Sequence, residues 1–349
     1  MIQPRPAVLK MAAYHPPTAG RANKLRLDFN ENTVGCSPKV IEALAQLNPA
    51  DLAVYPEYGP AKEVIGRYFQ VTPDRFIFTN GTDEAIQVFI NTYVDDNQEV
   101  LVLKPAYAMY RFYAEVAGAK VIEIEYPQPD MEFPLEVLLH AITPQTRAIL
   151  ISNPNNPTGT GLTLDAIHQI LKRAAHAAVL IDEAYYEFSG VTALGEIDRS
   201  PNLFVSRTFS KVFGMAGLRL GCLFSQPANI GYLHKAQSPY SVNALAMLAA
   251  QAAVQDTEYV QHYVGEVMAA RRELCAGLQR LGITYIPSAA NFVLGRFGTR
   301  AIEVRDRLRD QAILVRDRSY EAAGCVRITV GTREQTRRLL AALEEIWNQ

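Results

Sequence analysis

Five short stretches free of charge, 76–79, 100–103, 148–151, 179–181 and 203–205, each run directly into a cluster of polar and turn residues. Their hydrophobicity is continuous instead of alternating, the pattern of strands buried on both faces, and helical periodicity fills the segments between them. That combination confines the chain to an α/β architecture, a mostly parallel sheet flanked by helices. Ligands bind such sheets beyond the carboxyl ends of the strands, which is where the polar clusters fall. After Pro239 the texture changes. An alanine-rich helix over 243–254 and a long helix over 256–281, stopped by Gly282, lead to three strand candidates, 291–294, 313–316 and 325–330, alternating with helices. The expected organisation is an arm over 1–36, a large domain over 37–240 and a smaller α+β domain over 241–349 that includes the long connecting helix.

Composition narrows the function by exclusion. A chain of 349 residues, 49% hydrophobic and 20% charged, buries a large core and is not disordered. A net charge of -2 and a pI near 6.3 speak against a nucleic-acid or acidic-membrane partner. An anionic ligand has to be drawn locally, by a few placed arginines. Cys36, Cys222, Cys275 and Cys325 are scattered without metal-ligand spacing and read as small buried hydrophobes in a reducing compartment. The first residues lack the apolar core of a signal peptide, and no apolar run reaches bilayer length, so a cytoplasmic location is expected.

The chemistry concentrates in 205–221, Val-Ser-Arg-Thr-Phe-Ser-Lys-Val-Phe-Gly-Met-Ala-Gly-Leu-Arg-Leu-Gly. Lys211 lies beside hydroxyls on a loop between two apolar runs, a poor place for a solvated charge. Held out of water, its amine loses proton affinity and can condense with an aldehyde cofactor, while Thr208, Ser210 and Arg219 grip that cofactor's phosphate. Gly81 and Thr82, between a strand and a helix, add free backbone N–H groups for an anion. Asp182 ends a buried strand and is the best acid to face a pyridine nitrogen; Glu183 should point the other way along an extended segment. Lys104, the rival amine, precedes a proline and has no arginine at a matching offset. Farther along, strand alternation places Arg327 opposite Val326, Ile328 and Val330, and Arg316 opposite Ile313 and Val315, an anion clamp. Arg318 and Arg333 read as surface charges.

These stretches, with Asn30-Glu31-Asn32, Tyr55-Pro56 and Asn153-Pro154-Asn155-Asn156-Pro157-Thr158-Gly159, resemble the fold-type I pyridoxal-phosphate (PLP) enzymes. The variant Arg-Thr-Phe-Ser-Lys-Val-Phe-Gly-Met-Ala-Gly-Leu-Arg resembles the histidinol-phosphate aminotransferase branch. The resemblance implies PLP carried by Lys211, Asp182 at the pyridine nitrogen, Asn156 and Tyr185 at the ring oxygen, and Tyr107 stacked on the ring. It puts Gly81, Thr82, Thr208, Ser210 and Arg219 on the phosphate. Tyr55 matches a tyrosine that reaches the phosphate from the neighbouring subunit, which implies a homodimer. Arg327, Arg316, Tyr14 and Asn30 match substrate contacts.

The implied reaction is transamination between histidinol phosphate and 2-oxoglutarate, in histidine biosynthesis. Planar guanidinium groups accept phosphate or carboxylate bidentately, so one pocket can serve both substrates. The rivals are an aromatic amino-acid aminotransferase and a PLP-dependent decarboxylase of a phosphorylated amino acid. A silent binding protein of the same fold is a third, without room here for a DNA-binding domain. The chain departs from the family at Thr33-Val34-Gly35, where Pro-Tyr-Gly usually follows Asn-Glu-Asn, and at Val54, where arginine commonly precedes Tyr-Pro. Both departures bear on substrate choice and subunit contacts instead of the cofactor.

Overall fold

The uncharged stretches lie side by side in one sheet. In the computed structural model, which describes residues 2–13 and 19–348, strand β1 (Leu25–Leu27) comes from the arm. Strands β2 (Phe76–Thr79), β3 (Glu99–Lys104), β4 (Lys120–Glu125), β5 (Thr146–Ser152), β6 (Ala178–Asp182), β7 (Leu203–Thr208) and β8 (Gly221–Phe224) form a seven-stranded sheet in the order β2-β8-β7-β6-β5-β3-β4. Pairing is parallel from β7 across to β4; β8 alone runs antiparallel to both neighbours. β2, β6, β7 and β8 are buried along their whole length, which is why their sequences show no alternation.

Strand β4 was not foreseen. Its sequence, Lys-Val-Ile-Glu-Ile-Glu, interleaves charges because it is an edge strand with only Ile124 buried.

A second sheet holds β1, β9 (Tyr285–Ile286), β10 (Phe292–Arg296), β11 (Ile313–Asp317) and β12 (Cys325–Thr329), in the order β1-β11-β12-β10-β9. The arm is therefore not merely draped on the surface: β1 pairs in parallel with β11, Leu25 beside Ile313 and Leu27 beside Val315. The long helix Thr257–Arg280 packs on the C-terminal helix Arg333–Trp347, and at Gly277 an added Cβ would fall 2.3 Å from Leu340. The alanine-rich helix Ala244–Gln255 packs instead on the helices Pro38–Ala45 and Tyr58–Phe69, so it sits with the elements around the larger sheet. Ser37 and Thr163 cap their helices by accepting from Lys39 and Ala166 backbone N–H groups. Of the cysteines, Cys222 and Cys325 are buried, and Cys36 and Cys275 are partly exposed.

Candidate active site

The carboxyl ends of β5, β6 and β7, strands β11 and β12 of the second sheet and residues 29–31 after β1 surround a cavity of about 300 Å³. Asp182, the last residue of β6, is 3% exposed at its floor. Burial raises its carboxyl to about 6, opposed by two hydroxyl donors, Tyr110 to Oδ2 at 2.7 Å and Ser206 to Oδ1 at 2.9 Å. Glu183 turns to the other face of the sheet, where its carboxylate meets buried Arg207 at 2.7 Å. Alternation along an extended backbone thus separates the two acids, as the sequence implies.

Lys211 follows β7, and its Nζ donates to the Phe29 carbonyl at 3.0 Å. Desolvation lowers its amine to about 8; nearby Arg327 and Arg219 push the same way, and Glu31 and Asp83 oppose them. Lys104, by contrast, is exposed at the end of β3 and paired with Glu123 and Glu125.

The phosphate-grip candidates meet at one end of the cavity. Gly81 opens the helix Gly81–Tyr93 with φ +75°, and a Cβ there would lie 2.5 Å from Arg219 Nη2. Arg219 reaches that position through its own left-handed backbone, φ 54°, and donates to Asp83 at 3.0 Å. Thr208 Oγ1 accepts from the Ser210 N–H at 3.1 Å, and the buried Thr82 Oγ1 has no hydrogen-bond partner among the described residues. Tyr107 stands beside this end, its hydroxyl on Asp83 at 2.7 Å and its ring edge-on to Tyr110.

Across the cavity, Asn30 Nδ2 donates to the Tyr185 hydroxyl at 3.0 Å, and the Asn30 amide oxygen accepts from Thr329. Arg327, 5% exposed, donates to the Asn156 amide oxygen and the Asp28 carbonyl. Arg316 lies directly across the β11–β12 ladder from Arg327, with its guanidinium over the Phe29 ring.

Lys211, Asp182, Tyr185, Asn156, Tyr107, Thr82, Thr208, Ser210, Arg219, Arg316, Arg327 and Asn30 all line this cavity. Gly81 sits behind Arg219. Tyr55 is elsewhere, 73% exposed and stacked on Tyr240. Tyr14 lies outside the described residues.

One expectation is corrected. Arg318, read as a surface charge, is 6% exposed and lines the cavity, because the turn after β11 folds back over it. Arg333 is half-exposed and paired with Glu266. Sequence reasoning also missed Tyr110, although it lies three residues after Tyr107 and so on the same side of the helix Ala108–Ala117.

The donor set fits PLP. An orphaned buried hydroxyl at Thr82 and an arginine filling the Cβ space of Gly81 suit a phosphate, and a buried acid suits a pyridine nitrogen. Comparisons with known proteins agree. The family model described as "Aminotransferase class I and II" matches residues 22–343. A histidinol-phosphate aminotransferase of Symbiobacterium thermophilum is 36% identical, covering 93% of this chain and 91% of its own. The histidinol-phosphate aminotransferase of Clostridium acetobutylicum superposes with TM-score 0.86 at 25% identity, covering 93% of this chain and 99% of its own. The enzyme of that name from Sinorhizobium meliloti, solved in complex with pyridoxal-5'-phosphate, shares the fold at TM-score 0.89 and 23% identity, covering 100% of this chain and 98% of its own.

Proposed function

The chain belongs to the histidinol-phosphate aminotransferases of aminotransferase class I and II, and we propose that it transfers the amino group of histidinol phosphate to 2-oxoglutarate. The observation that carries this reading is the meeting, in one cavity, of a lysine lowered in proton affinity, a buried carboxylate, and two arginines, Arg316 and Arg327, without a carboxylate partner among the described residues.

PLP, when bound, withdraws electrons from the substrate α-carbon through its protonated ring. Lys211 Nζ would be its covalent anchor and would serve as the base that takes the substrate α-proton and later returns one. An amine lowered to about 8 is neutral far more often near neutral pH than an ordinary lysine, as this role requires. Asp182 keeps the ring nitrogen protonated, and Tyr110 and Ser206 hold its carboxylate in place. The Asn156 amide oxygen is taken by Arg327, which leaves its NH₂ group as the donor that, with Tyr185, would meet the cofactor's ring oxygen. Thr82, Thr208, Ser210 and Arg219 would hold the phosphate; in this structure Arg219 is paired with Asp83. Arg316 and Arg327 receive the substrate anion: the phosphate of one substrate, a carboxylate of the other.

The working unit in this reading is a cytoplasmic homodimer, with Tyr55 serving the neighbouring copy's site. Exposed Leu52, Val54 and Tyr240 around Tyr55 support a covered surface there. No helix among the described residues is long and apolar enough to cross a membrane.

The test is a donor comparison on the PLP-loaded enzyme with 2-oxoglutarate as acceptor. Glutamate should form with histidinol phosphate at a kcat/KM well above that with phenylalanine, without carbon dioxide release. Equal rates with phenylalanine, or decarboxylation, would overturn the reading.

A further inference from the structure

Three guanidinium groups crowd the substrate side of the cavity: Arg316, Arg318 and Arg327. Arg316 and Arg327 oppose each other across a sheet ladder, an arrangement that repels unless an anion lies between them. Among the described residues neither has a carboxylate partner; Arg327 bonds only neutral acceptors, and its buried Nε has none. Arg318 follows β11 directly and lines the same cavity, and its backbone N–H bonds the Cys325 carbonyl of β12. Its side chain is bracketed by the Tyr320 hydroxyl at 2.8 Å and by the Glu321 carboxylate, while Nε is buried with no partner among the described residues.

A purely structural role would use Arg318 to pin the turn that contains Tyr320 and Glu321. That role explains two of its nitrogens and leaves the third buried and unsatisfied, a costly position for a charged donor. It also leaves the sum of charge unexplained. These three guanidiniums have one carboxylate partner among the described residues, Glu321, which leaves two of their positive charges uncompensated. A carboxylate would neutralise one of them; a phosphate dianion would neutralise both. Burial lowers Arg327 to about 10, and Arg318 is the strongest of the charges adding to that fall, so the guanidiniums are close enough to act together.

We propose that Arg318 is a third guanidinium of the substrate-anion pocket and a specificity-determining residue, selecting donors that carry a phosphate dianion over donors that carry a carboxylate at that position. The inference rests on the function proposed above and adds a residue that its motifs do not include.

The experiment compares PLP-loaded wild type, Arg318→Gln and Arg318→Lys. For histidinol phosphate, Arg318→Gln should lower kcat/KM by about 10- to 100-fold, with the loss in KM rather than kcat. The fall should exceed that for phenylalanine by at least about tenfold. Inorganic phosphate, titrated calorimetrically into the same proteins, should bind more weakly by a similar factor, with no matching change for acetate. Arg318→Lys keeps the charge without the planar fork and should fall between the two; it carries the comparison alone should the glutamine variant not fold. Equal losses for both donors, a loss confined to kcat, or unchanged phosphate binding overturns the proposal. A wild-type enzyme with no preference for the phosphorylated donor would instead overturn the function reading, and that result is in hand before any variant is made.

Discussion

Lys211 shows how far one residue's environment could be read in advance. Hydroxyl neighbours and flanking apolar runs foretold a desolvated amine, and its proton affinity is indeed lowered, to about 8 from the ordinary 10.5. The Phe29 carbonyl that holds it is a backbone atom and leaves no trace in sequence. The shift has a signed consequence for the cofactor-free protein. Between about 8 and 10.5 the unfolded chain keeps a proton on this amine that the folded chain has lost, so stability rises with pH across that window. Below it, the buried ammonium is a standing cost. Lys211→Met removes the group, so its stability advantage over wild type should shrink by roughly 2–3 kcal/mol between pH 7.5 and 10.5. Urea unfolding of both apoproteins at several pH values measures this; parallel profiles would mean the amine is not desolvated. Tyr110 permits a second check. Its hydroxyl lowers the Asp182 carboxyl, so Tyr110→Phe should raise it and weaken PLP retention by about 10- to 100-fold, the range for one lost hydrogen bond to a charged group. Equilibrium dialysis gives the answer, and unchanged retention would leave Tyr110 a packing residue only.

Among the elements, legibility followed burial. Strands buried on both faces announce themselves as uncharged runs, so β2, β3 and β5 to β8 were visible, whereas β4 was hidden by the charges an edge strand carries. Arg318 failed for a related reason. It stands just past the end of β11, where periodicity stops being informative, and the turn that buries it depends on backbone bonds from Glu321 and Ala322 to its own carbonyl. The pairing of β6 with β7 is the element on which the floor of the site depends, since it places Asp182 beside Ser206 on the cavity side and Glu183 beside Arg207 on the other. Arg207→Met would leave Glu183 buried without its cation and remove a positive neighbour from Glu187, whose carboxyl burial already raises to about 7. A destabilisation of about 3–5 kcal/mol is expected, and the double variant Glu183→Leu/Arg207→Met should recover much of it. Chemical denaturation of both proteins decides the matter: a double variant as unstable as the single one would show that the pair contributes packing rather than charge compensation.

For the whole molecule, the decisive contacts join the two sheets, and they are the ones a linear reading reaches least. Asn30 to Tyr185, Arg327 to Asn156 and Lys211 to Phe29 span 155, 171 and 182 residues. Sequence motifs named most of these residues, but not which of them would touch. The same logic extends past one chain. Every other cofactor candidate among the described residues lines the cavity or backs it, yet Tyr55 points away, exposed beside Tyr240. In the homodimer proposed above, this outward-facing tyrosine serves the site of the other copy. If so, Lys211→Ala and Tyr55→Ala damage different halves of each site and can complement. In a heterodimer of the two, one site lacks the lysine, but the other combines an intact Lys211 with the partner's intact tyrosine. Co-expression with two affinity tags isolates that heterodimer, which should show about half the activity of wild type while each parental homodimer is strongly impaired. Activity no greater than the mean of the two parents would place Tyr55's role within its own chain or remove it from the site.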